Sequence, residues 1–139
     1  MLLIEHTVET SALPSQVWKV WEDVENWSSW DCGLEFSTID GPFQTGTRGR
    51  LKPKGGPLVQ TELTKVEPMR MFTDEARLFG AKIVVSHSMA RSGEKTAVTH
   101  RIEMKGPLAY LFAFLIGREM KKNLAREMLA MVKKAEKMK

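Results

Sequence analysis

The sequence GPLAYLFAFLIGREMKKNLAREMLAMVKKAEKMK, residues 106–139, decides the fold of this chain. Apolar residues recur in it at steps of three or four: Leu108, Phe112, Ile116, Met120, Leu124, Met128, Met131 and Ala135. This spacing places them on one face of an α-helix. Pro107 stands at the predicted first helical position, where its missing N–H costs no hydrogen bond. We therefore predict a helix roughly 45 Å long, whose apolar stripe the rest of the chain must cover.

A glycine lies inside this predicted helix. Gly117 costs about 1 kcal/mol relative to alanine at such a position. We interpret it as the site of a bend, or of a close approach by a sheet or a ligand.

Composition and charge are typical of one cytoplasmic globular domain, residues 1–139. Hydrophobic residues make up 42% of the chain and charged residues 27%. The net charge of +4 is local: residues 118–139 carry +5 and the remainder −1. No aromatic residue interleaves the basic residues of that tail, so we predict no nucleic-acid partner. A transient contact with a membrane surface is left open, as is the choice between monomer and homodimer.

The cysteine count and the hydropathy pattern bear on the cellular compartment of the protein. Cys32 is the single cysteine, which excludes an internal disulfide and favours a reducing compartment. The N-terminus turns polar too early for a signal peptide. The longest apolar run, Leu108 to Ile116, is too short for a transmembrane helix, so no integral membrane association is predicted.

Upstream of residue 106 the pattern is mainly that of strands. After a first strand, Leu2 to Thr10, Ser11 offers a helix N-cap, Pro14 lies in the opening turn, and helical spacing runs to Val24, with a second short turn through Trp27. This segment contains four tryptophans, Trp18, Trp21, Trp27 and Trp30, which we expect to pack in the core and not to form a ligand-binding cluster. Turn residues then separate six predicted strands: Leu34–Asp40, Gly46–Lys54, Leu58–Val66, Met69–Leu78, Lys82–Arg91 and Lys95–Lys105.

Several motifs occur in this order along the whole chain. They are Ala12 to Trp18 with Asp23 and Trp30, Gly41-Pro42-Phe43 with Gly46-Thr47, Val66-Glu67-Pro68, Gly106 to Ala109, and Lys134-Ala135-Glu136. With these motifs the chain resembles the START-like or Bet v 1-like (SRPBCC) superfamily, in its polyketide cyclase/dehydrase-like branch.

The resemblance implies an α+β helix-grip fold. A curved antiparallel sheet of about seven strands would enclose a long C-terminal helix, with two short helices between strands 1 and 2. Family members often bind sterols, polyketides, isoprenoids or other lipids between the sheet and the helix. The family has no universal catalytic motif, so no catalytic residue is transferred to this chain.

Candidate chemistry comes instead from strand alternation. His87 and His100 fall on the inward side of two adjacent strands. Asp74 falls inward on a third strand with Phe72 and Ala76, but a register one residue away, which Met71 would favour, places it in water. The histidines could act as general acid or base on a bound ketone, or could be hydrogen-bonded core residues. Asp74 would need a partner or a raised pKa if buried. No ligand spacing supports a metal, and no cofactor is predicted.

The same alternation predicts the lining of a ligand cavity. Inward methionines support an adaptable apolar wall, although they also fill ordinary cores. The predicted ligand contacts are Trp30, Phe72, Val85, His87, Met89, Val98, His100, Ile102, Phe112, Ile116, Met120 and Leu124.

Three functional hypotheses follow. The first is binding of a small hydrophobic or amphipathic molecule, such as a lipid, polyketide or isoprenoid. The second is a polyketide cyclase/dehydrase-type enzyme using His87, His100 and Asp74. The third is an interaction module that uses the basic face of the last helix.

Overall fold

A computed structural model describes residues 1–138. Its strands are β1 (Leu2–Thr10), β2 (Leu34–Ile39), β3 (Arg48–Pro53), β4 (Val59–Glu67), β5 (Met71–Leu78), β6 (Ala81–Ser92) and β7 (Lys95–Lys105). Its helices are α1 (Pro14–Glu22), a 3₁₀ helix (Val24–Ser29) and α2 (Ala109–Glu136). The predicted α+β class and the seven strands are confirmed, with strand ends shifted by two residues at most. Lys139, the end of the predicted helix, lies outside the described residues.

The seven strands form one antiparallel sheet with the order β1-β7-β6-β5-β4-β3-β2. Consecutive strands from β2 to β7 are neighbours because short turns connect them. The two edge strands, β1 and β2, are joined by α1 and the 3₁₀ helix. The long helix α2 packs on the inner face of this sheet, as the helix-grip expectation required. We call the space between the inner sheet face and α2 the hollow.

The start of α2 differs from the prediction. Pro107 lies in a turn and the first helical residue is Ala109. The reason is that the backbone N–H of Leu108 donates a hydrogen bond to Gly80 O in the β5–β6 hairpin, at 2.9 Å. Gly106, with φ +108°, turns the chain sharply from β7 into this contact.

The start of α1 was also predicted wrongly, because Leu13 and not Ser11 is the N-cap. The Ala12 N–H donates to Thr10 Oγ1 at 3.1 Å, and the Leu13 N–H donates to Gln16 Oε1 at 2.6 Å. These two side chains satisfy the N–H groups of the two residues that precede the helix.

The C-terminal end of α2 is held by side chains of β1 and of the 3₁₀ helix. Thr10 Oγ1 donates to Glu136 Oε2 at 2.5 Å, and Lys134 Nζ donates to Ser29 Oγ at 2.6 Å. In the middle of the helix, Gly117 is buried, and a Cβ there would lie 3.7 Å from Leu3 Cδ2. The helix backbone therefore comes close to β1 at this glycine, as one of the two predicted explanations required.

Candidate functional site

All three histidines of the chain lie in one row across three neighbouring strands. His6 on β1 is the cross-strand partner of His100 on β7, and His100 is the partner of His87 on β6. Phe72 on β5 continues the row beyond His87. His87 and His100 are buried, whereas His6 is partly exposed. The predicted adjacency of His87 and His100 on the inner face is confirmed.

The His87 ring is fixed from three sides. It stacks on Phe72 with ring centroids 3.9 Å apart and meets His100 edge to face at 4.4 Å. His87 Nδ1 lies 3.4 Å from Phe72 O. Because a carbonyl oxygen can only accept, this contact assigns the proton to Nδ1. His87 Nδ1 therefore donates a hydrogen bond to the neighbouring strand β5.

Asp74 is buried beside His87, on the inner face of β5, as predicted. Its Oδ1 lies 3.6 Å from His87 Nδ1, too far for a hydrogen bond. Burial raises the pKa of Asp74 to about 7, since removing a carboxylate from water disfavours its charged form. Close to neutral pH, Asp74 thus exists as a mixture of acid and carboxylate.

The two buried histidines are shifted in the opposite direction. Burial and, to a smaller extent, the charge of His6 together lower the pKa of His100 to about 3. Burial also lowers the pKa of His87 well below its ordinary value, with a smaller effect from His100. Both imidazoles are neutral at physiological pH, so His87 and His100 add no positive charge to the inner face of the sheet.

Several polar atoms of this region are buried without a hydrogen-bond partner among the described residues. They are Trp21 Nε1, Trp30 Nε1, Thr38 Oγ1, Asp74 Oδ1 and His100 Nε2. An unpaired buried polar group costs about 1–3 kcal/mol. A cavity of about 10 Å³ lies beside Asp74 and Thr38, a volume that suits a single water molecule.

Aromatic rings fill the hollow around the histidines. Trp21 is fully buried, with ring centroids 5.2 Å from Phe72 and 5.9 Å from His87. Phe43, from the β2–β3 loop, packs on Phe72 at 5.0 Å and on Trp18 at 5.5 Å. We call this region, with the second half of α2, the packed end of the hollow. The predicted core role of the tryptophans is confirmed for Trp18, Trp21 and Trp30.

The side chains that line the hollow are less buried towards the first half of α2. Phe112, Ile116 and Met120 point inward but stay partly exposed, and Ile83 and Val85 on β6 do the same. Gly80 contacts Leu108, so the beginning of β6 lies beside the beginning of α2. We call the region formed by these five side chains the open end.

The predicted ligand contacts therefore separate into two groups. Val85, Phe112, Ile116 and Met120 lie at the open end. The others are buried: Trp30, Phe72, His87, Met89, Val98, His100, Ile102 and Leu124. Their role as ligand contacts stays a prediction, as does the catalytic role of His87, His100 and Asp74.

Sequence reasoning missed one member of the histidine row. In β1, Ile4, His6, Val8 and Thr10 alternate with Glu5, Thr7 and Glu9. This alternation would have placed His6 on the inner face. Its position opposite His100 depends on the pairing of β1 with β7, which are far apart in sequence.

A pair of acidic residues lies away from the histidine row. Glu127 on α2 and Asp31 share a hydrogen bond, and burial raises the pKa of both carboxyls, that of Glu127 to about 9. The Gly33 N–H also donates to Asp31 Oδ1 at 3.0 Å. The pair holds one proton at neutral pH and joins α2 to the turn before β2.

Residues 1–138 contain neither a candidate metal-binding cluster nor a candidate membrane-spanning helix. No group of three or more His, Cys, Asp or Glu side chains there could hold a metal ion. Within the same range, no helix has the length and hydropathy of a membrane span.

Comparison with solved structures gives 245 matching chains. A protein from Mesorhizobium loti has a TM-score of 0.75 and 15% identity, with 98% of this chain and 99% of that chain covered. Truncated norcoclaurine synthase from Thalictrum flavum has a TM-score of 0.73 and 15% identity, with coverage of 98% and 94%. Identities this low show a common fold only.

A protein of the dynemicin biosynthetic locus matches with a TM-score of 0.71 and 18% identity over 96% of this chain. The match covers 47% of that protein, so this chain spans about half its length. A comparison with curated proteins finds no match.

The family comparison covers almost the entire sequence. Residues 1–136 match the family described as polyketide cyclase/dehydrase and lipid transport. The sequence motifs and the helix-grip architecture agree with this match. The chain therefore belongs to the polyketide cyclase/dehydrase and lipid transport family, within the SRPBCC or Bet v 1-like superfamily.

Proposed function

We propose that this protein binds a small apolar or amphipathic molecule at the open end of the hollow. Family membership implies a hydrophobic ligand but specifies neither its identity nor its position. One observation supports the position most strongly: the inward stripe of α2 is partly exposed in its first half and fully buried in its second.

The contrast in burial occurs along a single stripe. Leu124, Met128, Met131 and Ala135 have relative exposures of 0–2%. On the same face, about one to three turns before Leu124, Phe112, Ile116 and Met120 remain partly exposed. A ligand that covered them would remove apolar surface from water, at about 25 cal/mol per Å².

The opposite wall is apolar as well. Ile83 and Val85 face inward from β6 and are partly exposed, while Ile102 and Met104, beside them on β7, are buried. Val85 pairs with Ile102, and Ile83 pairs with Met104. A ligand at the open end would therefore contact aliphatic and thioether groups on both sides, which suits irregular apolar shapes.

The packed end supports only a secondary role in binding. Its cavity of about 10 Å³ is far below the roughly 300 Å³ of small ligand pockets. A ligand could extend there only if rings such as Phe43, which comes from a loop and is half-buried, moved aside. We therefore place the first ligand contacts at the open end.

His6 is the one histidine of the row that is partly exposed, so an amphipathic ligand could reach it without displacing the buried side chains. It lies on the inner face of β1 in register with His100 and is partly exposed, unlike the two buried histidines. It could donate or accept a hydrogen bond to a polar end of the ligand while the apolar part contacts α2.

The test is fluorescence titration with the apolar dye N-phenyl-1-naphthylamine. Ile116→Trp should fill the open end and weaken dye binding about tenfold or more. Leu129→Trp is the matched control, because Leu129 is 51% exposed on the same helix. It should leave the affinity unchanged. Equal affinity of the wild type and Ile116→Trp, or no saturable dye binding by the wild type, would overturn the proposal.

The enzymatic alternative has weaker support from the geometry. Polar atoms of His87, His100 and Asp74 do come together, but all three side chains are buried and His87 Nδ1 already donates to Phe72 O. A histidine with a pKa near 3, as for His100, is also a weak base. We therefore propose binding and not catalysis. If the wild type converted a bound ketone and His87→Gln abolished that activity, the enzymatic alternative would be favoured instead.

A further inference from the structure

Five large apolar side chains are exposed around the start of α2. Their relative exposures are 88% for Phe79, 83% for Phe114, 77% for Tyr110, 59% for Leu115 and 50% for Leu111. Phe79 lies at the tip of the β5–β6 hairpin, next to Gly80, which contacts Leu108. Single exposed apolar residues are common, but a contiguous group of this size indicates an interaction surface.

Helical geometry puts the four α2 residues on one side. Tyr110 and Phe114 are four residues apart, as are Leu111 and Leu115, so both pairs stack along the helix surface. All four are exposed, whereas Gly117 and Leu124 further along the helix are buried. The same side continues into a basic segment, because Arg118 and Lys122 follow Leu111 at seven and eleven residues, and Lys121 follows Tyr110 at eleven.

The cations of this segment have no carboxylate partner, as is true of the other described cations of α2. Arg118, Lys121 and Lys122 form no ion pair with any described residue, and neither does Lys105. On the sheet, by contrast, lysines and arginines are mostly paired, for example Lys52 with Glu35 at 2.7 Å. The positive charge beside the apolar group is therefore available to an anionic partner.

A further basic feature borders Phe79. A shallow surface depression of about 420 Å³ is lined by Arg77, Lys82 and Lys105, among other residues. Glu75 pairs with Lys82 at 3.1 Å, which leaves Lys105 without a carboxylate in the described part of the chain. This depression would add positive charge at the level of an anionic headgroup.

We propose that Phe79, Tyr110, Leu111, Phe114, Leu115, Arg118, Lys121 and Lys122 form a docking face for an anionic lipid bilayer. Aromatic side chains favour the headgroup region, leucines gain by entering the acyl region, and lysines and arginines attract anionic lipids. All three types lie on one face here. The inference does not depend on the proposed ligand, because it concerns the outer side of α2.

Other occupants fit this face less well. A second copy of the chain would bring two unpaired basic segments together, and like charges would oppose the contact. A nucleic acid would use the cations and the aromatic rings but would gain little from Leu111 and Leu115. Of these three occupants, the bilayer alone uses the apolar and the basic parts at once.

Vesicle flotation tests this inference on the ligand-free protein. Vesicles of phosphatidylcholine with about 30% phosphatidylglycerol should carry the wild type, and pure phosphatidylcholine vesicles should carry much less. Phe114→Ala combined with Tyr110→Ala should reduce binding about tenfold or more, because each exposed ring contributes its own transfer free energy. Leu129→Ala, an exposed apolar site on the far half of α2, should bind like the wild type.

Charge reversals separate the docking face from the total charge. Arg118→Glu with Lys122→Glu should abolish flotation with anionic vesicles, whereas Lys133→Glu with Lys137→Glu, the same change at the far end of α2, should reduce it about threefold at most. All four side chains are exposed, so folding should be retained and is checked by circular dichroism.

Three results would overturn the inference. One is a wild type that floats with neither vesicle, and another is an equal loss for both charge-reversed pairs. The third is a wild-type dimer, measured by light scattering, that Phe114→Ala with Tyr110→Ala converts to monomer, which would assign the face to a second copy. A failure of dye binding at the open end would leave all of these outcomes unaffected, so the two proposals fail separately.

Discussion

The second half of α2 and its first half pack on the same sheet with very different results. In the second half, Met128 and Met131 are fully buried, and hydrogen bonds from Thr10 and Lys134 fix the helix end. In the first half, Met120 is partly exposed, and the helix is joined to the sheet by the bond from Leu108 to Gly80. The same sequence periodicity thus produces a core at one end and an accessible apolar surface at the other.

This difference separates stability from function along one helix. Burial of the second half supplies hydrophobic free energy that the fold needs. The first half leaves apolar surface in contact with water, which costs stability unless a ligand or a bilayer covers it. We therefore expect substitutions in the two halves to have different consequences.

The largest expected difference is between two methionines of the same stripe. Met128→Ala should lower the free energy of unfolding by about 2–5 kcal/mol, because it removes a fully buried side chain and leaves a cavity. Met120→Ala should cost about 1 kcal/mol or less, since that side chain is already partly exposed. Urea unfolding measures both, and equal costs would contradict the division of α2 into two halves.

Asp74 provides a pH-dependent test of the packed end. Its pKa is raised from 3.8 to about 7 in the folded protein, so the folded state holds this proton longer than the unfolded state does. Its contribution to stability therefore falls as pH rises from about 4 to about 7. Asp74→Asn should become more stable than the wild type over this range, by up to about 4 kcal/mol at pH 8.

The control for Asp74 is Asp40→Asn. Asp40 is exposed and pairs with Arg50 on the surface, so its substitution should change stability by less than about 1 kcal/mol. Urea unfolding between pH 4 and pH 8 gives both comparisons. A stability difference for Asp74→Asn that stays constant with pH would show that Asp74 is not buried as described.

A smaller effect is expected where the sheet meets the open end. Gly106→Ala should destabilise by about 2–3 kcal/mol, because φ is +108° and a Cβ would lie 2.8 Å from Gly80 O. Gly93→Ala is the matched control, with φ +65° and no atom within 4 Å of a Cβ, and should cost about 1 kcal/mol. Thermal unfolding that ranks them equally would mean that the start of α2 is not held tightly against the hairpin.

Much of this architecture could be predicted from the sequence, because it depends on local periodicity. The stripe from Leu108 to Ala135 predicted α2, and strand alternation placed His87 and His100 together. Periodicity tells which side a residue faces, but not how closely the opposite wall approaches. The exposure of Phe112 and Met120 depends on that distance, so the open end could not be located.

The packed end was also beyond the sequence, for a related reason. Phe43, Trp21 and Phe72 come from a loop, a helix and a strand that are far apart in the chain. Their ring contacts, 5.0 and 5.2 Å between centroids, follow from the way the sheet and helices pack together and from no local pattern. The sequence predicted an apolar cavity, and these rings occupy most of that space.

The most direct test of the central claim uses the methionine methyl groups as reporters. In a two-dimensional carbon-13 NMR titration with N-phenyl-1-naphthylamine, the Met120 methyl signal should shift with dye concentration. The signals of Met128 and Met131, which lie at the packed end, should remain in place. Shifts at Met128 or Met131 with an unchanged Met120 would contradict the assignment of ligand binding to the first half of α2.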